Sequence, residues 1–440
     1  MIRPLLRGRL ATAVLSLIVV LPLALVGCGG GGSSGSKQAT LRVVNATSDV
    51  GDMNLSLGGT SRFTALAADA LSAAFSFDAG TYDTTLTSGS SSTALLSGNR
   101  VYAESTDYTA VAWGSASALK LTSLADTADA SNAPASGSAI LRVFNATADA
   151  GSVDLYLTSD TADLDAATPN VSGLAVGSMT SYATVTPGTY RLRITGTGDR
   201  TDIRLDQRGV VVGNQARTTL VLQPGVGGTL VHALQFDYGS TTLTALKNTE
   251  ARVRVAASVD GNGAVTASLA GSSLNVGLRS PSVGSYVRVP AGTAQVLSLT
   301  VAGVPQADST RSLAAGGDYT LLVSGASASP QATLLTDDNR LPTSTTRSKI
   351  RLVHGANGQD ALTLAVDYNA LATGVAYGSA SPFASVASNA TATVEVSSPL
   401  VAAPLFSTAS STVNLQAQGV YTVFILGGGS APTGVLRKDR

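Results

Sequence analysis

The 440-residue chain has one cysteine, one tryptophan and two histidines. A single cysteine excludes an intrachain disulfide, so each folded part must rest on its own core. Two distant histidines cannot supply the three or four clustered nitrogen or sulfur ligands of a zinc site. A hydrolase triad needs a base, usually histidine. His232 and His354 each fall in a predicted strand of a different repeat, where a hydrogen-bonding structural role is expected. Aromatics are 5% of the chain and Trp113 lies inside a predicted strand, which leaves little for a sugar-binding platform. Charge is scarce too, at 13%, with 28 basic and 28 acidic residues and no basic stripe, which argues against nucleic acid. With 44% apolar residues the chain is nonetheless too apolar for disorder. No catalytic, cofactor or metal residue is assigned.

What is present begins at the amino end. "MIRPLLRGRL" carries Arg3, Arg7 and Arg9, and an apolar run follows from about Leu10 to Val26, broken by Pro22. This is the layout of an export signal rather than of a permanent span. The run ends Leu25-Val26-Gly27-Cys28, which resembles the lipobox of bacterial lipoproteins at all four positions. The resemblance implies cleavage after Gly27, diacylation of Cys28 and attachment to the membrane through that residue. The alternative is an ordinary secretory signal with an incidental cysteine. One acyl chain anchors weakly, since each buried methylene adds about 0.8 kcal/mol; two or three anchor durably. Gly29, rather than Asp, after the cysteine favours the outer membrane by the same resemblance. "GGGGSSGSKQ", residues 29–38, reads as a flexible tether with a mean span of about 15–20 Å. Loss of the three leader arginines leaves 25 basic against 28 acidic residues, about −3.

The rest repeats with a period of about a hundred residues. An opening strand recurs as "LRVVNATSD", "LRVFNATAD", "VRVAASVDG" and "IRLVHGANG". A turn recurs as "FDAGTY", "VTPGTY", "VPAGTA" and "VASNAT". A third landmark starts at Tyr108, Thr218, Tyr319 and Tyr421, as in "DYTLLVSG". From the opening arginine (Arg42, Arg142, Arg254, Arg351) to the turn position (Gly80, Gly188, Gly292, Asn389) is 38, 46, 38 and 38 residues, and from there to the third landmark 28, 30, 27 and 32. Copies tend to end on an aspartate, as in "SLADTAD" and "LLTDDN". The expected divisions are a signal peptide (1–27), a lipidated cysteine and tether (28–39), and β-sandwiches at 40–130, 138–247, 250–338 and 348–440. The joints near 126–139, 247–250 and 338–348 read as linkers.

Within each copy the signal is β: short alternating runs of Val, Thr, Leu and Ala between Gly, Asn and Asp clusters. "RVRV" and "YRLRI" read as half-buried strands with arginines on the solvent face. "TALAADALSAA", from Thr64, is the best helical candidate. About seven strands per hundred residues is the count of an immunoglobulin-like sandwich, so the fold class is all-β, four such domains in tandem. The repeated tyrosine then suits a corner, its hydroxyl turned back on nearby backbone. Ala110, Leu321 and Val423, two residues on, occupy the place of the antibody cysteine.

The opening strand, the Gly-Thr-Tyr turn and the "DYTLLVSG" strand resemble the bacterial domain of unknown function 4397 family. That resemblance implies tandem immunoglobulin-like modules in an exported protein, often a lipoprotein. The family often has histidine where this chain has Asn45, Asn145, Ala257 and His354.

The acidic turns at Asp49 and Asp52, Asp149 and Asp154, Asp260 and Asn262, and Asp337, Asp338 and Asn339 are explained by turn chemistry, with calcium as the alternative. Tyr82, Tyr182, Tyr190, Tyr286 and Phe383 fall at landmarks and read as core or corner residues. The expectation is a non-enzymatic envelope lipoprotein with a structural or adhesive role, in contact with an envelope protein or a polysaccharide. A scaffold repeated without a repeated polar cluster would serve reach. The alternative is a ligand-binding module, for a polysaccharide or calcium, in one diverged copy; the insert "TSDTADLDAATPN" in the second copy is the place to look.

Overall fold

Turn residues cut the chain into short strands, and alternation decides which face each strand buries. Met53–Leu57 alternates buried and half-buried residues. It is followed by Gly58 and Gly59, both at positive φ, which is what a two-residue hairpin with right-handed twist requires. The computed structural model describes residues 37–89, 91–127, 133–428 and 432–440. Cys28, the expected signal peptide and most of the expected tether lie outside the described residues; the first strand begins at Gln38.

The strands gather around four separate apolar clusters, each of which defines a unit together with the sheets that enclose it. In the first unit the strands, numbered one to eight, are Gln38–Asn45, Met53–Leu57, Thr60–Leu66, Phe75–Asp78, Gly80–Ser88, Ala94–Tyr102, Thr106–Trp113 and Lys120–Thr127; one sheet has the order four-one-seven-eight and the other three-two-five-six. The second unit repeats both orders and adds a strand, Thr244–Leu246, to the first sheet. The third and fourth follow the same plan with the fourth and sixth strands split, and in the fourth unit the fifth strand is split as well, so that Asn389–Ala392 and Val413–Leu415 pair as a small separate sheet. Each is an all-β sandwich. The division into four and four, with strands one and seven side by side and parallel, is the detail that strand counting leaves open.

The register of that parallel pair is the same in all units. Arg42 lies beside Thr109, Arg142 beside Thr219, Arg254 beside Thr320 and Arg351 beside Thr422. The turn positions Gly80, Gly188, Gly292 and Asn389 each open a strand. Ala110, Leu220, Leu321 and Val423 are fully buried in their unit's cluster.

The tyrosines close corners at the entrance of strand seven. The hydroxyl of Tyr108 accepts the amide of Ala103 at 2.9 Å, that of Tyr319 accepts Ala314 at 2.9 Å, and that of Tyr421 accepts Gln416 at 2.8 Å. Tyr82 and Tyr190 close a second corner by donating to the carbonyls of Asp78 and Thr186.

Three expectations need correction. The helical candidate is extended through Leu66, and Ala65 and Asp69 sit at positive φ, which ends any helical run. The arginines of "RVRV" and its relatives do not face solvent: Arg42, Arg142, Arg254 and Arg351 are 7%, 3%, 4% and 2% exposed. The joints are also anchored rather than free at described positions, since Asp126, Asn248 and Asn339 are buried.

Candidate functional site

The buried arginines follow from how units meet. Strands one and seven send alternate side chains to opposite faces, so Leu41 and Val43 enter their own sandwich while Arg42 and Val44 point the other way. That second face is covered by the next unit. Val44, Val111, Trp113 and Leu124 of the first unit pack on Phe144, Val221, Leu234 and Phe236 of the second. Ala256, Leu322 and Leu335 of the third pack on Val353, Phe424 and Leu426 of the fourth. The same strand positions serve on both sides, so each pair is joined by an approximate two-fold, as in an isologous dimer. Units therefore stand face to face in pairs rather than end to end, which corrects the reading of the repeat as reach.

Polar residues complete each pair reciprocally. In the third and fourth units, Arg254 is ion-paired to Asp439, and Arg351 to Asp337. The Nε atoms of the same arginines donate to Thr320 at 2.9 Å and Thr422 at 3.2 Å. Those threonines in turn donate to Asp337 and Asp439, each at 2.6 Å. Tyr286 lies 4.6 Å under Arg254, and Phe383 4.7 Å under Arg351. Two cations and two anions thus cancel inside the interface, and each arginine donates from Nε and both Nη atoms. Burial pushes the Asp337 carboxyl up, but Arg351, Arg254 and the Thr320 hydroxyl outweigh it and hold the group below its ordinary range. Burial, with Asp337 alongside, pushes the Tyr286 hydroxyl well up. A repeated polar cluster therefore exists, contrary to expectation. In each copy the arginine and threonine are 66 to 77 residues apart, and the acid, where present, lies 83 to 88 residues after the arginine, so no local window contains them.

The first and second units keep only half of this arrangement. Arg142 pairs with Asp126 at 2.7 Å and stacks on Tyr182 at 4.6 Å; Tyr182 and Arg217 also bond Asp126. At the other end the matching acid is replaced by Tyr238, which continues strand eight opposite Arg217. The matching aromatic is replaced by Ala74, the residue before strand four. Arg42 then bonds only neutral oxygens: Thr109 Oγ1 at 2.9 Å and the carbonyls of Ser240 and Asp237 at 2.6 and 3.1 Å. Burial pushes its pKa down. A cavity of about 150 Å³ remains beside it.

The two pairs also touch. The Gly227 amide donates to the Gly316 carbonyl at 2.8 Å, and the Asn339 amide to the Gly227 carbonyl at 3.0 Å. A Cβ on Gly227 would stand 2.5 Å from the Asp318 amide, and one on Gly228 2.5 Å from that of Arg340, so only glycine fits this joint. Arg440 crosses from the last strand to the carbonyls of Gly228 and Ala150.

The remaining candidates are placed as follows. Asn45 and Asn145 are buried, donate to the carbonyls of Gly51 and Leu66 and of Gly151 and Leu174, and accept from Thr47 and Thr147. Their side chains staple a loop to strand one, and His354 does the same through Asp360. His232 accepts the Asn248 amide at 2.9 Å; burial drops its pKa to about 4, so it is neutral. The acidic turns are directed at neighbours: Asp49 accepts Ala116, Asp154 accepts Gly173 and Gly198, Asp260 accepts Asn357, and Asp338 pairs with Arg340 and Lys349. The insert from Thr158 is tied down at its carbonyls by Arg191, Arg193 and Arg200.

The family model described as "Domain of unknown function (DUF4397)" matches residues 39–156 and 251–365, together just over half of the chain. No curated protein matches. Among solved structures, a candidate cell adhesion protein from Bacteroides uniformis is 12% identical, with 46% of this chain and 98% of that one covered and a TM-score of 0.19. The fimbrial anchor protein Mfa2 from Porphyromonas gingivalis is 12% identical, with 42% and 91% covered and a TM-score of 0.20. A candidate cell adhesion protein from Bacteroides ovatus is 10% identical, with 70% and 97% covered and a TM-score of 0.12. Likenesses at these scores carry no argument about this chain.

Proposed function

The chain belongs to the domain of unknown function 4397 family, and on that premise we propose that it is a non-enzymatic envelope lipoprotein with a structural or protein-binding role. The observation that supports this is where the repeated polar residues go. Three of the four repeated arginines meet aspartates of the adjoining unit, and the two histidines are committed to backbone partners. Repetition on this reading builds a stiff block held off the membrane by the tether, with Cys28 as its anchor. The outer membrane is the proposed site, and an envelope protein or polysaccharide the proposed partner. Crosslinking in intact envelopes tests the role: recovery of one abundant partner supports it, and recovery of none counts against it. Cys28→Ala is expected to release the protein from the membrane fraction, and continued retention would remove the anchor. The calcium alternative is tested by melting with calcium and with EDTA, where a shift between the two would favour it.

A further inference from the structure

The Arg42 cavity differs from its three counterparts in two independent ways. Arg142, Arg254 and Arg351 each have an aromatic ring 4.6–4.7 Å away from their own unit, namely Tyr182, Tyr286 and Phe383. In the first unit Ala74 holds that place. Those three arginines each face a carboxylate from the adjoining unit: Asp126, Asp439 and Asp337. Arg42 faces Tyr238, and among the described residues its guanidinium meets no carboxylate at ion-pair distance.

What is missing has a size and a chemistry. The cavity, about 150 Å³, is lined by Arg42, Thr109, Tyr108, Tyr238, Asp107 and Asp126 among others. A void of that volume accepts one benzene-sized ring. Ala74, Gly239 and Thr241 are exposed, so the mouth opens to solvent. The two acids in the wall are already satisfied: Asp107 accepts the Tyr238 hydroxyl, and Asp126 is held by Arg142, Arg217 and Tyr182. Arg42 makes as many hydrogen bonds as its counterparts, from Nε and both Nη atoms, but every acceptor is neutral, and a buried guanidinium is better satisfied by a carboxylate.

We propose that this cavity binds a small aromatic carboxylate. The ring occupies the place that Tyr182, Tyr286 and Phe383 fill elsewhere, and the carboxylate meets the Arg42 N–H donors that the Ser240 and Asp237 carbonyls leave free. The site goes beyond the structural role proposed above and does not depend on it.

The test is calorimetric titration of the full chain with benzoate, with acetate and benzyl alcohol as half-ligands. Benzoate is expected to bind, and each half-ligand to bind at least about tenfold more weakly. Ala74→Tyr restores the residue type of the other units, so it is expected to fold, to melt higher and to lose benzoate binding. Tyr238→Asp restores the acid and is expected to weaken benzoate by at least about tenfold while leaving benzyl alcohol unchanged. Absence of benzoate binding to the parent chain overturns the proposal. Unchanged benzoate binding in a folded Ala74→Tyr overturns the location, and benzyl alcohol binding as tightly as benzoate overturns the role of Arg42.

Discussion

His232 shows what a buried polar residue does in this molecule. Its ring accepts one backbone amide and its pKa is lowered from 6.5 to about 4, chiefly by burial. The folded state therefore refuses a proton that the unfolded state accepts. Stability is full above about pH 6.5 and declines as pH falls toward 4. The loss between pH 7 and pH 5 should be about 2 kcal/mol. His354 is lowered in the same direction, mainly by burial, and adds to the slope. Denaturant melts of the parent and of His232→Gln as pH is lowered check this: the variant should show the shallower decline. The asparagines illustrate a misleading local signal. "NAT" at Asn45 and Asn145 matches a glycosylation acceptor, yet both side chains are buried and fully bonded. Spacing alone does not tell a surface acceptor from a loop staple.

Strand seven carries the architecture at the level of elements. All eight residues of Asp318–Gly325 are buried, because its sheet has a sandwich on one side and another unit on the other. A strand covered on both faces reads as a near-continuous apolar run. Leu321 faces the sandwich side, and Leu321→Ala should cost about 2–5 kcal/mol. Hydrogen exchange across residues 250–338 of the full chain should show the loss, and unchanged protection there would refute the core assignment. On the other face, Asp337→Ala removes the anion between Arg351 and Arg254. Stranding buried charge typically costs about 3–5 kcal/mol. Replacing Asp337 and Arg351 together by leucine and methionine should cost less than Asp337→Ala alone, as a double-mutant cycle by thermal melting can show. The strand itself was legible as buried from its composition. The covered outer face of its sheet was not, because the arginine of strand one beside the threonine of strand seven has the pattern of a solvated surface. The clue lay in two separate observations, the repeated opening arginine and the aspartate that ends several copies.

At the scale of the whole molecule, two glycines and the last residue join one pair of units to the other. Gly228→Ala would bring a Cβ to 2.5 Å from the Arg340 backbone, where no flexible side chain can yield. The joint should open while each unit keeps its own core. Small-angle scattering of the variant should give a larger radius of gyration with a nearly unchanged circular dichroism spectrum. Arg440→Ala, which removes bonds to Gly228 and Ala150 without a clash, should act in the same direction and more weakly. An unaltered scattering profile in both would mean that the pairs are held by other contacts.

Sequence alone determined the all-β character, the recurrence of one strand order and the tyrosine corners. These depend on alternation, turn residues and spacing, which are local and repeat. It also carried the single cysteine at the end of an apolar run near the amino end. Only the tertiary structure decided that units pair face to face, that the arginines turn inward, and that one of four guanidinium sites is left half-built. Those features depend on residues distant in the chain and on charges whose burial is set by a neighbouring unit. An arginine one residue from a valine reads the same whether water or another sheet lies above it.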